Sequence, residues 1–149
     1  VNVGAFVQTN MGVIENSEVK GGSIICIGLA DVCAGSIAGV NGDGENGGII
    51  RNCLNYAIIS SKGKYTGGMI GKVGVKGIVH DCINYGNVKS EGSYVGGVIG
   101  YSYVIVSNLT NYGNIVTTDK NGHAGGILGN NDEMFVGDNC NNYGSVTIG

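Results

Sequence analysis

Gly67-Gly68-Met69-Ile70-Gly71 returns as Gly96-Gly97-Val98-Ile99-Gly100 and again as Gly125-Gly126-Ile127-Leu128-Gly129. Both steps, from 67 to 96 and from 96 to 125, are 29 residues long. A fixed period of this length marks a repeat architecture. Gly35-Ser36-Ile37-Ala38-Gly39 is a weaker copy 32 residues upstream of Gly67, and its three extra residues read as a loop insertion around Gly42 to Asn46. Val3-Gly4-Ala5-Phe6-Val7 reads as a degenerate first copy.

A second block lies midway through each unit. It runs Asn52-Cys53-Leu54-Asn55-Tyr56, then Asp81-Cys82-Ile83-Asn84-Tyr85-Gly86, then Asn108-Leu109-Thr110-Asn111-Tyr112-Gly113, then Asn139-Cys140-Asn141-Asn142-Tyr143-Gly144. Asn16-Ser17-Glu18-Val19-Lys20-Gly21 is its eroded first copy. Short β-rich runs such as Ile49-Ile50, Ile58-Ile59 and Val104-Ile105-Val106 are separated by Gly, Asn, Asp and Ser. They are too short for helices, and no stretch keeps a 3.6-residue period.

A unit of this size cannot bury its own apolar face, but stacked copies can. The expected fold is therefore all-β: a parallel β-helix, or β-solenoid, of about five coils in a single domain spanning 1–149. The repeats fall near 3–33, 34–66, 67–95, 96–124 and 125–149. Equivalent strands should pair about 4.8 Å apart, which makes each repeat position a column along the axis. Cys53, Cys82, Leu109 and Cys140 would form an interior column, with Ser17 at its head. Asn55, Asn84, Asn111 and Asn142 would form a second, passing amide hydrogen bonds from coil to coil. These asparagines would also take the left-handed conformation that a corner needs. Tyr56, Tyr85, Tyr112 and Tyr143 would form a third column, with Gly86, Gly113 and Gly144 marking the corner. Cys26 and Cys33 fall outside the cysteine column, and their pairing with each other stays open.

Composition agrees. Thirty glycines and no proline suggest collagen or a linker, but there is no Gly-X-Y period, and 42% of the residues are hydrophobic. A net charge of −3 with 13% charged residues gives no basic patch, so no nucleic-acid partner is expected. Apolar runs such as Ile24 to Ile27 are far too short to insert in a membrane. Val1 in place of methionine suggests an excised piece of a longer protein. It starts and stops inside the repeat without a polar cap, so bare strand edges predict end-to-end self-association.

Few residues invite chemistry. Five cysteines without a Cys-x-x-Cys pair argue against zinc. His80 shares a variable position with Arg51 and Ser107, which suits a solvated surface, and His123 is the only other histidine. Asp43 with Glu45, and Asp132 with Glu133, are the nearest carboxylate pairs, and both read as loop residues. Asn41 to Asn46 lacks the ligand spacing of an EF-hand and reads as an inserted turn. Asn108-Leu109-Thr110 matches a glycosylation sequon, yet Asn108 already has a place in the repeat. No catalytic residue, metal or cofactor is expected. The candidate ligand surface is the tyrosine row Tyr56, Tyr85, Tyr112 and Tyr143, whose rings, if outward, would stack on sugars or on a partner protein.

The Gly-Gly-hydrophobic-x-Gly block followed by the Asn-Cys block resembles the GLUG repeat of bacterial surface and secreted proteins. That family includes the non-catalytic region of M26 IgA-specific metallopeptidases. The resemblance covers nearly the whole chain, best from Gly35 to Gly149. It implies a secreted or cell-surface setting and a β-helix-like scaffold, and it carries no peptidase activity, since His-Glu-x-x-His is missing. The expected role is a structural or adhesive module, acting as a spacer or binding a host protein or glycan. Alternatives are an accessory region of a secreted peptidase or carbohydrate-active enzyme, and a carbohydrate-binding module using the tyrosines.

Overall fold

A computed structural model describes residues 1–28, 31–132 and 137–149. The chain is a β-solenoid of about five coils whose strands pair only in parallel. One full coil passes through four sheets. Tyr65–Gly67 lies in sheet A, Ile70–Val73 in sheet B, Ile78–Asn84 in sheet C and Val88–Ser90 in sheet D. Each strand pairs with its equivalent in the next coil, so Tyr65 meets Tyr94, Ile70 meets Ile99, His80 meets Ser107 and Val88 meets Ile115. The inserted residues of the second coil lie in the loop between its sheet B strand, Ala38–Asn41, and its sheet C strand, Ile49–Arg51.

The Gly-Gly-hydrophobic-hydrophobic-Gly block makes the corner between sheets A and B. Met69 and Ile70 turn inward and join Ile37, Ile50, Cys53, Cys82, Val98 and Leu109 in the main core, all fully buried. The second glycine faces the asparagine column. A Cβ on Gly97 would strike the Asn111 side chain and the Gly126 carbonyl. The last glycine lets two backbones meet: a Cβ on Gly71 would sit 2.6 Å from the Ala34 amide nitrogen, and one on Gly100 2.6 Å from that of Thr66. Sheets A and B therefore converge along a line of glycines. A smaller core of Ile59, Val88, Val95 and Ile115 joins sheets A and D.

The cysteine column stands as expected. Cys82 pairs with Leu109, and Cys53 and Cys82 are fully buried in adjacent coils. The hydrogen-bonding contact with Cys53, and then burial, hold the Cys82 thiol far above its ordinary range, so it stays protonated. The question left open for Cys26 and Cys33 has an answer: both are free thiols. Cys26 aligns with Ser61 in sheet D, and Cys33 aligns with Tyr65 in sheet A.

The asparagine column carries the expected ladder. Asn55 Nδ2 donates to Asn84 Oδ1 at 2.7 Å, Asn84 to Asn111 at 2.8 Å, and Asn111 to Asn142 at 2.8 Å. The left-handed conformation belongs elsewhere, however. It falls three positions earlier, at Asn16, Asn52, Asp81, Asn108 and Asn139, with φ between 51° and 56°. Those residues bend sheet C, Asp81 and Asn108 from within its strands, and Asn55, Asn84, Asn111 and Asn142 stand at the ends of those strands. A second, shorter ladder links Asn10 Nδ2 to Asn41 Oδ1 at 2.8 Å in the first two coils.

Candidate functional site

The tyrosine row faces solvent. Tyr56, Tyr85, Tyr112 and Tyr143 are 42%, 40%, 47% and 67% exposed. Successive rings stack at 4.7, 5.0 and 4.9 Å, within 11° of parallel. The rings of Tyr85 and Tyr112 are therefore covered on both faces by their neighbours. Sugar stacking needs an aromatic face, and the inner rings of this row offer only edges and hydroxyls.

A second aromatic row, which the sequence reading did not single out, lies on sheet A. Tyr65 stacks on Tyr94 at 5.4 Å, and Tyr94 stacks on His123 at 5.2 Å. Each residue stands two places before its Gly-Gly pair, so the 29-residue alignment already held the signal. The converging sheets bring sheet B side chains against this row. Tyr101 meets Tyr65 and Tyr94 edge-on at 5.4 and 5.1 Å, and Tyr103 packs beside it. Lys72 Nζ lies 5.4 Å from the Tyr65 ring centre and 5.0 Å from that of Tyr103.

Between these two sheets runs an open groove of about 640 Å³. Its size suits a small-molecule or sugar ligand. Asn2, Cys33, Val40, Tyr65, Lys72 and Tyr103 line it, and Gly42, Asp43 and Gly44 of the inserted loop form one rim. Asp31 is at the margin too, where it pairs with Lys64 at 3.3 Å. Among the described residues no carboxylate pairs with Lys72. Cys33 lies buried at the groove floor, and desolvation pushes its thiol up to about 11, so the floor is uncharged. Asp43 Oδ1 accepts from the Asn46 and Glu45 amides at 2.6 and 2.9 Å, which holds its carboxyl below the ordinary value. The segment from Asn41 to Asn46 is thus a turn closed by Asp43.

The remaining sequence candidates are scattered. His80 Nδ1 contacts Asp81 Oδ2 at 2.6 Å on the outer side of sheet C, beside Arg51 and Ser107. Asp132 accepts from the Tyr101 hydroxyl at 2.5 Å, while Glu133 lies outside the described residues. Asn108 is one of the left-handed corner residues. Among the described residues no three His, Cys, Asp or Glu side chains gather as a metal site. Among the described residues no helix is long and apolar enough to cross a membrane. Comparison with family models, with curated proteins and with solved structures gives no match.

Proposed function

We propose that the chain is a non-catalytic adhesive module: a rigid solenoid that presents one ligand groove, in the secreted or cell-surface setting that the GLUG resemblance implies. The observation that carries this reading is the groove between sheets A and B. There Tyr65, Tyr103 and an ammonium without a carboxylate partner among the described residues converge on a sugar-sized space. The stacked columns supply rigidity: amide ladders and in-register strands tie each coil to the next. Binding sites are well placed on such scaffolds, because rigid elements fix the contact residues before the ligand arrives.

The test is capture of the 149-residue chain on a printed glycan array and on immobilised matrix glycoproteins. Specific retention that falls at least tenfold in the Lys72→Ala, Tyr103→Ala double variant, and persists in Tyr85→Ala, supports a groove-based module. Retention that follows Tyr85 instead would return the role to the outer tyrosine row. No retention on either surface would leave only the spacer role.

A further inference from the structure

The aromatic row on sheet A stops one coil short. Its register runs Cys33, Tyr65, Tyr94, His123, with each residue paired to the next across parallel strands. Three of the four are planar rings, and the first is a small thiol. One face of Tyr65 is covered by Tyr94 at 5.4 Å. The other looks toward the position where a ring on residue 33 would lie, which the groove borders, and there the Lys64 and Lys72 ammonium groups lie over the ring. Strand spacing fixes the gap at about 4.8 Å per coil, the thickness of one stacked ring. The gap therefore has the shape of a missing rung.

The charges around the missing rung are specific. Two ammonium groups approach Tyr65, Lys64 at 5.2 Å and Lys72 at 5.4 Å. Lys64 is neutralised by Asp31, whereas Lys72 is held between Tyr65 and Tyr103 with no carboxylate partner among the described residues. An occupant that brings its own anion would complete this pair. On the opposite rim Asp43 has its Oδ1 engaged by the Asn46 and Glu45 amides, and its Oδ2, which the Asn46 side chain approaches at 3.5 Å, has room for a further hydroxyl or amide donor.

We propose that this groove binds a carboxylated pyranose, of the hexuronate or nonulosonate type. The sugar's carboxylate meets Lys72 and draws its ammonium off the Tyr65 ring, the sugar ring then packs against Tyr65, and its hydroxyls donate to Asp43. A pyranose presents an apolar CH face to the ring and hydroxyls at its edge, which matches both walls of the groove. The aromatic residue at the end of a peptide also combines a ring with a carboxylate, but it offers one amide N–H where a pyranose offers several hydroxyls. This inference rests on the groove being the binding site of the module.

The experiment is an amide-resonance titration of the 149-residue chain with methyl β-glucuronide, the methyl glycoside of N-acetylneuraminic acid, and the neutral methyl β-glucoside. A peptide ending in phenylalanine serves as competitor. At least one acidic sugar is expected to shift the resonances around Tyr65 and Lys72 and to bind at least tenfold more tightly than the neutral one. Lys72→Met should reduce acidic-sugar binding to the neutral level. Cys33→Phe should complete the ladder, fill the gap and abolish binding of every sugar. Val40→Tyr blocks the same groove from sheet B should Cys33→Phe fail to fold. Groove-dependent binding that ignores Lys72 and the sugar carboxylate, or that prefers the peptide, overturns the proposed ligand but keeps the groove. Sugar binding that survives both blocking variants overturns the groove itself, and so does a titration in which no probe moves any resonance.

Discussion

A single buried amide illustrates how the coils hold together. Asn84 donates to Gly86 O at 2.7 Å and Asn111 Oδ1 at 2.8 Å, and it accepts from Asn55 Nδ2 at 2.7 Å and the Gly86 amide at 3.2 Å. Asn84→Ala strands several of these partners in a dry core, where each unmade bond costs about 1–3 kcal/mol. Because such losses overlap, the expected fall in urea-unfolding free energy is about 3 kcal/mol in all. Asn142→Ala, at the exposed end of the ladder, should cost under about 1 kcal/mol. Ser36 gives the opposite sign. It stands where later coils have the second glycine, and its buried hydroxyl has no hydrogen-bond partner among the described residues. Ser36→Ala should therefore raise stability by about 1 kcal/mol in the same measurement. The inward columns were legible because a buried site tolerates few side chains, so Cys53, Cys82 and Cys140 repeat visibly. The left-handed conformation falls at the first asparagine position of the block and not at the second, where the sequence pattern places it. Both asparagine positions of the block tolerate φ > 0, and periodicity alone does not say which one lies at the bend.

At the scale of the element, the two aromatic rows differ in what they leave free. In the outer row stacking covers both faces of the inner rings, Tyr85 and Tyr112. Tyr85→Leu removes two stacking contacts, each worth about 0.5–1.5 kcal/mol before solvent exposure reduces it. A loss of about 1 kcal/mol is expected, with a weaker near-UV circular dichroism signal from the coupled rings and no change in ligand capture. The inserted loop behaves as a small element of its own. Its Asp43 has a folded pKa lowered below 3.8, first by the Asn46 and then by the Glu45 backbone amide. A depressed carboxyl contributes stability above its unfolded pKa and loses it as pH falls through the folded value. The Asn46 amide resonance should thus titrate with a midpoint below the ordinary aspartate value of about 3.9, moving as pH falls through the folded pKa of Asp43. The sheet A row escaped sequence reading for a physical reason. Its positions face outward and admit Cys33, Tyr65, Tyr94 and His123 alike, so no single residue type repeats. Nor does spacing along the chain announce that sheets A and B converge. That follows from glycines whose missing side chains let two backbones approach.

For the whole molecule, the amide ladders share one direction. Asn10 donates to Asn41, Asn55 to Asn84, Asn84 to Asn111 and Asn111 to Asn142, always from the earlier coil to the later. Every interior coil therefore shows acceptors on one side and donors on the other. A second copy of residues 67–95, inserted after Val95, should meet complementary partners on both flanks. The lengthened chain is expected to fold with a thermal midpoint no lower than that of the parent, because nearest-neighbour contacts dominate such arrays. A midpoint several degrees lower would show that the coils are less interchangeable than their columns imply. For the gene, this polarity acts as a reading rule. Unequal crossing-over that adds or drops one 29-residue unit leaves no mismatched seam, so the reach of the protein can drift between lineages. The break in the aromatic row at Cys33 is different: copying the coils downstream of it lengthens the solenoid without multiplying the groove.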